Sequence, residues 1–314
     1  MPKENSTFTH LKYFMPSFKV WLSAARPRTL PLSIAGILVG GGLALQENAY
    51  NGLIFGLAIL ATLGFQILSN YANDYGDGVK GTDNDERVGP ARAMQSGLLT
   101  AAHLKKAIII TSSITVVIVL SLIYSAFGKD QFLLSLLFLL LGIAAIIAAI
   151  KYTVGRSAYG YKGLGDVFVF LFFGLVGVLG SFFLFAQYIH IIHILPAVTI
   201  GALSVMVLHL NNMRDRVSDT RVGKNTLAVI LGQKGAVRYH NILFLVAICC
   251  WVSFIVLRAT DLLDYVSIIA FLPLVKHMLT VRNTKEHTLL DPELKKVALS
   301  TFLLAVLFFV GSYF

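Results

Sequence analysis

Two acidic clusters hold the residues of this chain best suited to chemistry. The first is Asn73-Asp74-Tyr75-Gly76-Asp77 with Asp83 behind it, directly after the apolar run from Leu53 to Leu68. The second is Asn211-Asn212-Met213-Arg214-Asp215 with Asp219, directly after the apolar run from Ile194 to Leu208. The chain has only 16 acidic residues, and Asp74, Asp77, Asp83, Asp85, Asp215 and Asp219 fall in these two stretches, with Glu86 beside the first. Such a concentration needs a cause, because a carboxylate at the end of a membrane helix is costly to desolvate. On a helix, residues three or four apart share a face. Asp74 and Asp77, Asn73 and Asp77, Asn211 and Asp215, and Asp215 and Asp219 all have that spacing. Like charges on one stripe repel, and a divalent cation reverses the sign. Mg²⁺ takes a few carboxylates together with phosphate oxygens and water. Two stripes facing each other therefore point to Mg²⁺ shared with a phosphorylated ligand. Arg92, Arg214 and Lys224 are interleaved with the acids and could pair phosphate oxygens. The competing reading is a solvated loop network in which these bases simply neutralise the acids.

The elements that must position these residues are membrane helices. Hydrophobic residues make up 56% of the chain and charged ones 13%, with a mean hydropathy of +0.76. Soluble domains carry about 25% charged residues. Nine spans are predicted, near 29–46, 52–72, 104–125, 131–150, 164–187, 190–210, 239–257, 262–281 and 296–314. Each is close to the roughly 20 residues that cross the hydrocarbon core. Runs this long and apolar must be helices, so that every backbone group is satisfied internally. The fold class expected is an all-α polytopic membrane protein, a single domain over 1–314. Residues 1–20 form an N-terminal cytoplasmic or interfacial segment, and Phe18–Ala25 suits a short helix along the membrane surface. A cleavable leader is not expected, because residues 1–28 carry scattered charge and no compact apolar core. Cys249 and Cys250 are adjacent, have no metal spacing and read as packing residues.

Basic residues set the orientation. With the N-terminus inside, all but Lys129 and Arg258 of the 26 Lys and Arg fall on one side. The positive-inside rule makes that side cytoplasmic, places the C-terminus outside, and puts both acidic motifs at the cytoplasmic face. The net charge of +10 is then a topology signal, with no nucleic-acid partner implied, and it adds a pull on anionic lipid and substrate. The inward connections near 73–103, 151–163 and 211–238 are long and polar, and long loops in a compact domain usually carry function.

Asn73-Asp74-x-x-Asp77 with Asp83, and Asp215-x-x-x-Asp219, resemble the two aspartate-rich motifs of the UbiA superfamily of intramembrane prenyltransferases. Further stretches resemble its 1,4-dihydroxy-2-naphthoate polyprenyltransferase branch, which serves menaquinone synthesis. They are Trp21-Leu-Ser-Ala-Ala-Arg26-Pro-Arg28, Gly89-Pro-Ala-Arg92, Lys151-Tyr-Thr-Val-Gly, Tyr159-Gly-Tyr-Lys-Gly-Leu-Gly-Asp166 and Gly223-Lys224-Asn-Thr226. The likeness covers about residues 18–311. Asp83 lies two residues farther from Asp77 than in the common Asp-x-x-x-Asp, as in the naphthoate branch. The resemblance implies a helical bundle capped by cytoplasmic loops over a central cavity. It implies that Asp74, Asp77, Asp83, Asp215 and Asp219 hold Mg²⁺, and that Asn73, Arg92, Asn211, Arg214 and Lys224 bind the diphosphate of a polyprenyl diphosphate. Asp74, Asp77, Asp215, Asp219 and Tyr152 become the catalytic candidates. Arg26, Arg28, Lys151, Tyr159, Tyr161 and Asp166 become candidates for holding 1,4-dihydroxy-2-naphthoate. The faces of Tyr75, Tyr152, Tyr159 and Tyr161 could stabilise an allylic cation. The location implied is a bacterial inner membrane, with lipid around the spans.

Blander readings exist for several of these residues. Arg26, Arg28, Lys151, Arg156 and Lys162 suit positive-inside anchoring. Asp166 can cap the fifth span near its positive end. His209 can bond a neighbouring helix. Phe168, Phe170, Phe172, Phe173, Phe182, Phe183 and Phe185 face either lipid or a prenyl groove, and the helix phase decides which. A different aromatic acceptor, such as 4-hydroxybenzoate, homogentisate or a porphyrin, would keep the aspartates. A transporter would carry its polar residues near mid-bilayer along a path. The charge split yields a direct test with single cysteines near Thr82, Val222 and Phe314 and an impermeant thiol reagent. The first two label only from the cytoplasm and the third only from outside, and the reverse pattern refutes the orientation.

Overall fold

The structure, a computed structural model, describes residues 16–82, 89, 91–258 and 262–314. Asp83, Asp85 and Glu86 of the first cluster therefore lie outside the described residues, as do Lys3 and Lys12. The described residues form helices and connecting turns, with no strand among them. Nine helical segments among them are long and apolar enough to cross a membrane. These match the expected spans in number and order.

Helix α1 (Phe18–Ala25) turns Ala24 and Ala25 inward and leaves Phe18 and Leu22 exposed. Trp21 packs edge-on against Tyr71 of the third helix, at 5.8 Å between ring centres. The spans then follow as α2 (Leu30–Gln46), α3 (Gly52–Lys80), α4 (Ala101–Phe127), α5 (Phe132–Lys151), α6 (Gly165–Ala186) and α7 (Ile194–Arg214). After a short α8 (Arg216–Arg221) come α9 (Leu227–Arg258), α10 (Leu272–Asn283) and α11 (Asp291–Gly311). Two edges differ from the expected ones in ways that matter. Helix α3 runs past 72 to Lys80, so Asp74 and Asp77 are helical residues and not loop residues. It stops where Gly81 adopts a left-handed φ of 70°, which a residue lacking Cβ takes without strain. The segment before 239 is also helical from Leu227, broken at Gly232, whose φ is 67°.

Small residues set the spacing of the central helices. Chains in lipid gain little from hydrophobic sorting, so helices associate where backbones can come close. A Cβ on Gly174 of α6 would meet the Gly201 Cα of α7 at 2.6 Å, and one on Gly36 of α2 would meet the Phe173 carbonyl oxygen of α6 at 2.8 Å. Helix α6 itself is π-helical from Phe170 to Gly180. The main core joins α2, the end of α6, α7, α9 and α11, with Trp251, Phe254 and Phe308 packed together. A second core joins α2, α3 and α4 through Ile37, Ile54 and Val119. Helices α9, α10 and α11 are also tied by a buried polar chain. His240 Nε2 lies 2.8 Å from His277 Nε2, and His277 Nδ1 lies 2.6 Å from Glu293, which Lys296 also reaches at 2.5 Å.

Candidate active site

The two acidic motifs end α3 and α7 at the same end of the bundle, and cations from several elements converge on them. Asp74 is 1% and Asp77 3% exposed. Burial at that level demands a partner, because an isolated charge in a low-dielectric interior costs several kcal/mol. Arg26 supplies the partner for Asp74, donating from Nη2 to Oδ1 at 2.6 Å. It does so from a left-handed backbone (φ 52°, ψ 68°) between α1 and the 3₁₀ turn Pro27–Thr29. A non-glycine residue in that region is strained and persists where its surroundings impose it. Arg92 serves both acids of the first motif: its Nη1 donates to Asp77 Oδ2 at 2.5 Å and to the Asn73 carbonyl at 3.0 Å, and its Nε lies 3.7 Å from Asp74.

Tyr161 holds the other oxygen of Asp77. Its hydroxyl donates to Oδ1 at 2.6 Å and sits 2.8 Å from the Thr82 hydroxyl. Lys80 lies over the Tyr161 ring at 4.0 Å and Lys224 at 5.6 Å, within cation–π range. The turn carrying Tyr161 (Tyr159–Lys162) is fixed by Asn225, whose N–H donates to the Tyr161 carbonyl. The loop after α8 thereby touches the loop after α5, and the two motifs meet. Thr153 donates its hydroxyl to the Ala72 carbonyl at 3.0 Å and to Asn73 Oδ1 at 3.2 Å.

The second motif is wired more locally. Arg214 grips Asp215 with two bonds, Nε to Oδ1 at 2.8 Å and Nη2 to Oδ2 at 2.7 Å, and also donates to Asn211 at 2.9 Å. Its third arm reaches Asp291 at the start of α11. Asp219 is left with the least support. Lys224 Nζ stands 3.5 Å from its Oδ1, and its buried Oδ2 has no hydrogen-bond partner among the described residues. Burial pushes the Asp219 carboxyl up to about 6; Lys224 opposes that shift, while Asp215 and, from the first motif, Asp77 add to it. Asp77 and Asp219 are thus within electrostatic reach of each other. Burial also raises Tyr152, Tyr159 and Tyr161 above the usual phenol range, so all three stay neutral.

Two cavities adjoin the acids. One of about 350 Å³ is mainly apolar and lies among α2 to α6. Asn73, Tyr152 and Tyr159 line one part of it, and Phe65, Phe138, Phe172 and Phe173 line others. The helix phase of the Phe-rich run is thereby fixed: Phe168, Phe172 and Phe173 line this cavity, Phe170 packs on Gly201, and Phe182 is fully buried. The other cavity, about 290 Å³, is lined by Arg26, Arg28, Arg92 and Asp74.

Not every expected residue joins the site. Lys151 is exposed at the end of α5 and is no part of either cavity wall. Asp166 is buried behind Tyr152, with His209 Nδ1 3.7 Å from its Oδ2. His209 Nε2 meanwhile lies 3.0 Å from the Ala236 carbonyl, which ties α7 to α9. Among the described residues no three acidic, His or Cys side chains converge as a ligand set. Asp74, Asp77, Asp215 and Asp219 are each paired with a cation instead. Asp291 and Thr82 were not singled out from sequence. Asp291 had a readable signal, as an acid opening a membrane helix in a chain where Arg214 also needed a partner.

Three comparisons bear on the site. The model of the UbiA prenyltransferase family matches residues 33–291. A Haemophilus influenzae protein named 1,4-dihydroxy-2-naphthoate octaprenyltransferase is 42% identical over 312 residues, covering 96% of this chain and 97% of its own length. An Escherichia coli protein of the same name is 40% identical, covering 94% and 95%. In fold, the chain is similar to a UbiA homolog from Archaeoglobus fulgidus bound to GPP and Mg²⁺. The TM-score is 0.69 at 15% identity, over 94% of this chain and 98% of that one.

The wiring predicts unequal losses of stability. Arg92→Ala removes the cation paired with buried Asp77 while Asp74 keeps Arg26, and removing one partner of a buried pair costs about 3–5 kcal/mol. Arg28→Ala touches an exposed residue and stays within about 0.5 kcal/mol. Thermal unfolding of the purified variants in detergent measures both, and equal midpoints would contradict the buried pairing.

Proposed function

The chain belongs to the UbiA prenyltransferase family, and on that premise we propose that it transfers a polyprenyl group from polyprenyl diphosphate to 1,4-dihydroxy-2-naphthoate with loss of CO₂, yielding demethylmenaquinone in its reduced form. The observation that carries the reading is the meeting of the two buried aspartate motifs beside an apolar cavity walled by Tyr152 and Tyr159. Relatives 42% and 40% identical over nearly the whole chain support the naphthoate as acceptor.

The donor's diphosphate belongs among Asn73, Arg92, Asn211, Arg214 and Lys224. Of these, Arg92, Arg214 and Lys224 now pair with the motif acids, and charge-assisted bonds to phosphate oxygens would replace those contacts. The donor set fits Mg²⁺. Asp219 keeps a buried oxygen without a partner among the described residues, and burial, with smaller additions from Asp215 and Asp77, disfavours its ionised form. Asp74, Asp77, Asp215 and Asp219 would hold the ion, with Asp83 a further proposed ligand. Bound there, Mg²⁺ supplies charge stabilisation to the departing diphosphate. The tail lies in the 350 Å³ cavity among Phe65, Phe138, Phe172 and Phe173. As the allylic carbon–oxygen bond breaks, the faces of Tyr152 and Tyr159 border the developing cation. Their rings stand edge to face at 5.4 Å, and Tyr159 stacks on Phe168 at 4.0 Å. This apolar wall excludes the water that would otherwise trap the cation. The acceptor carboxylate is received near Arg26 and Arg28 in the smaller cavity. The ring carbon forms the new bond, the carboxylate departs as CO₂, and its electron pair restores the aromatic ring. Lys151 has no place in this arrangement. The chain sits in the bacterial inner membrane, with the site on the cytoplasmic side.

Two measurements test the proposal. Purified protein with farnesyl diphosphate and Mg²⁺ is expected to prenylate 1,4-dihydroxy-2-naphthoate and release its labelled carboxyl carbon as CO₂ in step. 4-Hydroxybenzoate is expected to be a poor acceptor, since it leaves the site's polar groups mismatched. Efficient transfer to 4-hydroxybenzoate with its carboxylate retained, and none to the naphthoate, overturns the acceptor assignment. Asp77→Asn and Asp215→Asn should each lower turnover by at least about 10²-fold in folded protein, the scale of losing one strong electrostatic stabiliser. Near-normal turnover of either variant in EDTA would end the metal assignment.

A further inference from the structure

A second basic concavity lies away from both cavities described above. It is a groove of about 990 Å³ between the start of α9 and the end of α10, lined by Lys234, Arg238, Arg282 and Lys285 with Gln233, Asn241 and His287. All four cations are exposed, and among the described residues none has an ion-pair partner. The acids nearest in sequence are engaged elsewhere. Glu286 accepts from the Thr288 hydroxyl, Asp291 holds Arg214, and Glu293 holds His277 and Lys296. Four like charges repel, so a fixed cluster without acids has an unmet electrostatic demand. The walls are fixed: Gln233 Nε2 donates to the Lys285 carbonyl at 2.7 Å, bridging α9 to the segment after α10. The left-handed Gly232 turns the helix so that Lys234 and Arg238 face the groove.

What the charges are attached to narrows the ligand. On α9, Lys234, Arg238, Asn241 and Leu245 recur at helical spacing and form one stripe. On α10, Val275, Leu279 and Arg282 do the same. Both stripes run from cations at the motif end to exposed apolar side chains toward the bilayer middle. Leu245, Val275 and Leu279 are all exposed, as is Ile242 beside Leu245. A single phosphate would use only the top of this surface. Two parallel apolar stripes beneath one basic groove suit a headgroup phosphate with two acyl chains.

We propose that this groove is a binding site for an anionic diacyl phospholipid, its phosphate among Lys234, Arg238, Arg282 and Lys285 and its chains along Leu245 on α9 and Val275 and Leu279 on α10. The site is separate from the prenyl cavity, and the inference does not depend on the acceptor.

The test uses full-length protein in nanodiscs of equal phosphatidylglycerol and phosphatidylcholine, followed by native mass spectrometry of the lipids retained. Wild type should retain phosphatidylglycerol over phosphatidylcholine by at least about fivefold, the scale set by one basic residue near an anionic lipid. Arg238→Gln with Arg282→Gln should abolish the preference, and Arg238→Lys with Arg282→Lys should keep it. Lys105→Gln with Lys106→Gln, exposed cations of α4 outside the groove, should also keep it. Thermal midpoints confirm that each variant is folded. Equal retention of the two lipids by wild type, or an equal loss in the Lys105/Lys106 variant, overturns the site. Addition of inorganic diphosphate or farnesyl diphosphate separates the sources of phosphate. Retained phosphatidylglycerol supports the lipid, and its displacement by either compound overturns it.

Discussion

A carboxylate buried at the end of a membrane helix has to be answered by a cation, and the cap of this protein is organised by that requirement. Asp74 and Asp77 sit inside the last turns of α3, where solvent cannot reach them. Their partners arrive from Arg26 before the first span, from Arg92 in the loop after α3, and from Tyr161 in the turn after α5. The pairs act together with an apolar cluster in which Ala24, Ala25, Ala93 and Leu99 pack around Tyr71 of α3. A loop pair in water would be worth under about 1 kcal/mol, whereas breaking a buried pair costs several times that. The same acids proposed to hold a metal and a diphosphate thus hold the loops over them.

The two motifs meet this demand differently. The first draws on residues distant in sequence, so its geometry depends on the cap being closed. The second is served by its own helix end, with Arg214 next to Asp215 and Lys224 shortly after Asp219. Arg214 is itself fixed from a third side by Asp291. What the local wiring leaves over is one oxygen of Asp219, buried and without a hydrogen bond among the described residues. Unmet polar atoms of this kind are rare in folded proteins and tend to mark places where a ligand completes the structure. The deficit lies where the two motifs come within reach of each other, which is where a bridging cation would relieve repulsion from both.

Much of this was legible in the sequence because the signals were strong and local. Long apolar runs identified the spans. Helical spacing grouped Asn73 with Asp77 and Asp215 with Asp219. What sequence could not supply was contact between distant segments. Tyr161 stood among the acceptor candidates, yet its hydroxyl serves Asp77, because the turn at Tyr159–Lys162 folds under the loop carrying Asn225. Lys151 has the right charge and a neighbouring position, but α5 ends with that side chain pointing outward. Helix α3 outran its apolar stretch because its polar last turns are stabilised by tertiary partners, which a hydropathy window does not register. The Phe-rich run could not be phased, because α6 is π-helical through Phe170–Gly180 and follows neither the α-helical period nor a simple alternation.

That irregular helix also explains how one bundle can be tightly packed and hollow at once. One side of α6 carries Gly174, whose missing side chain lets the α7 backbone come close. The carbonyl of Phe173 likewise meets α2 at Gly36. Had these positions borne side chains, the three helices would stand farther apart, and the Ser181 hydroxyl, which donates to the Gly177 carbonyl, would not lie against Gly40. The other side carries Phe168, Phe172 and Phe173, whose bulk keeps α6 away from α4 and α5 and leaves the apolar cavity between them. Dispersion at the glycine contacts holds the bundle together, and the large rings prevent its collapse on the far side. The cavity reaches the acids at Asn73 and Tyr152, beside which the Tyr159 ring stacks on Phe168 while its hydroxyl donates to the Ala148 carbonyl. A single short run of alternating small and large residues thereby fixes both the closeness of the central helices and the depth of the chamber beside the motifs.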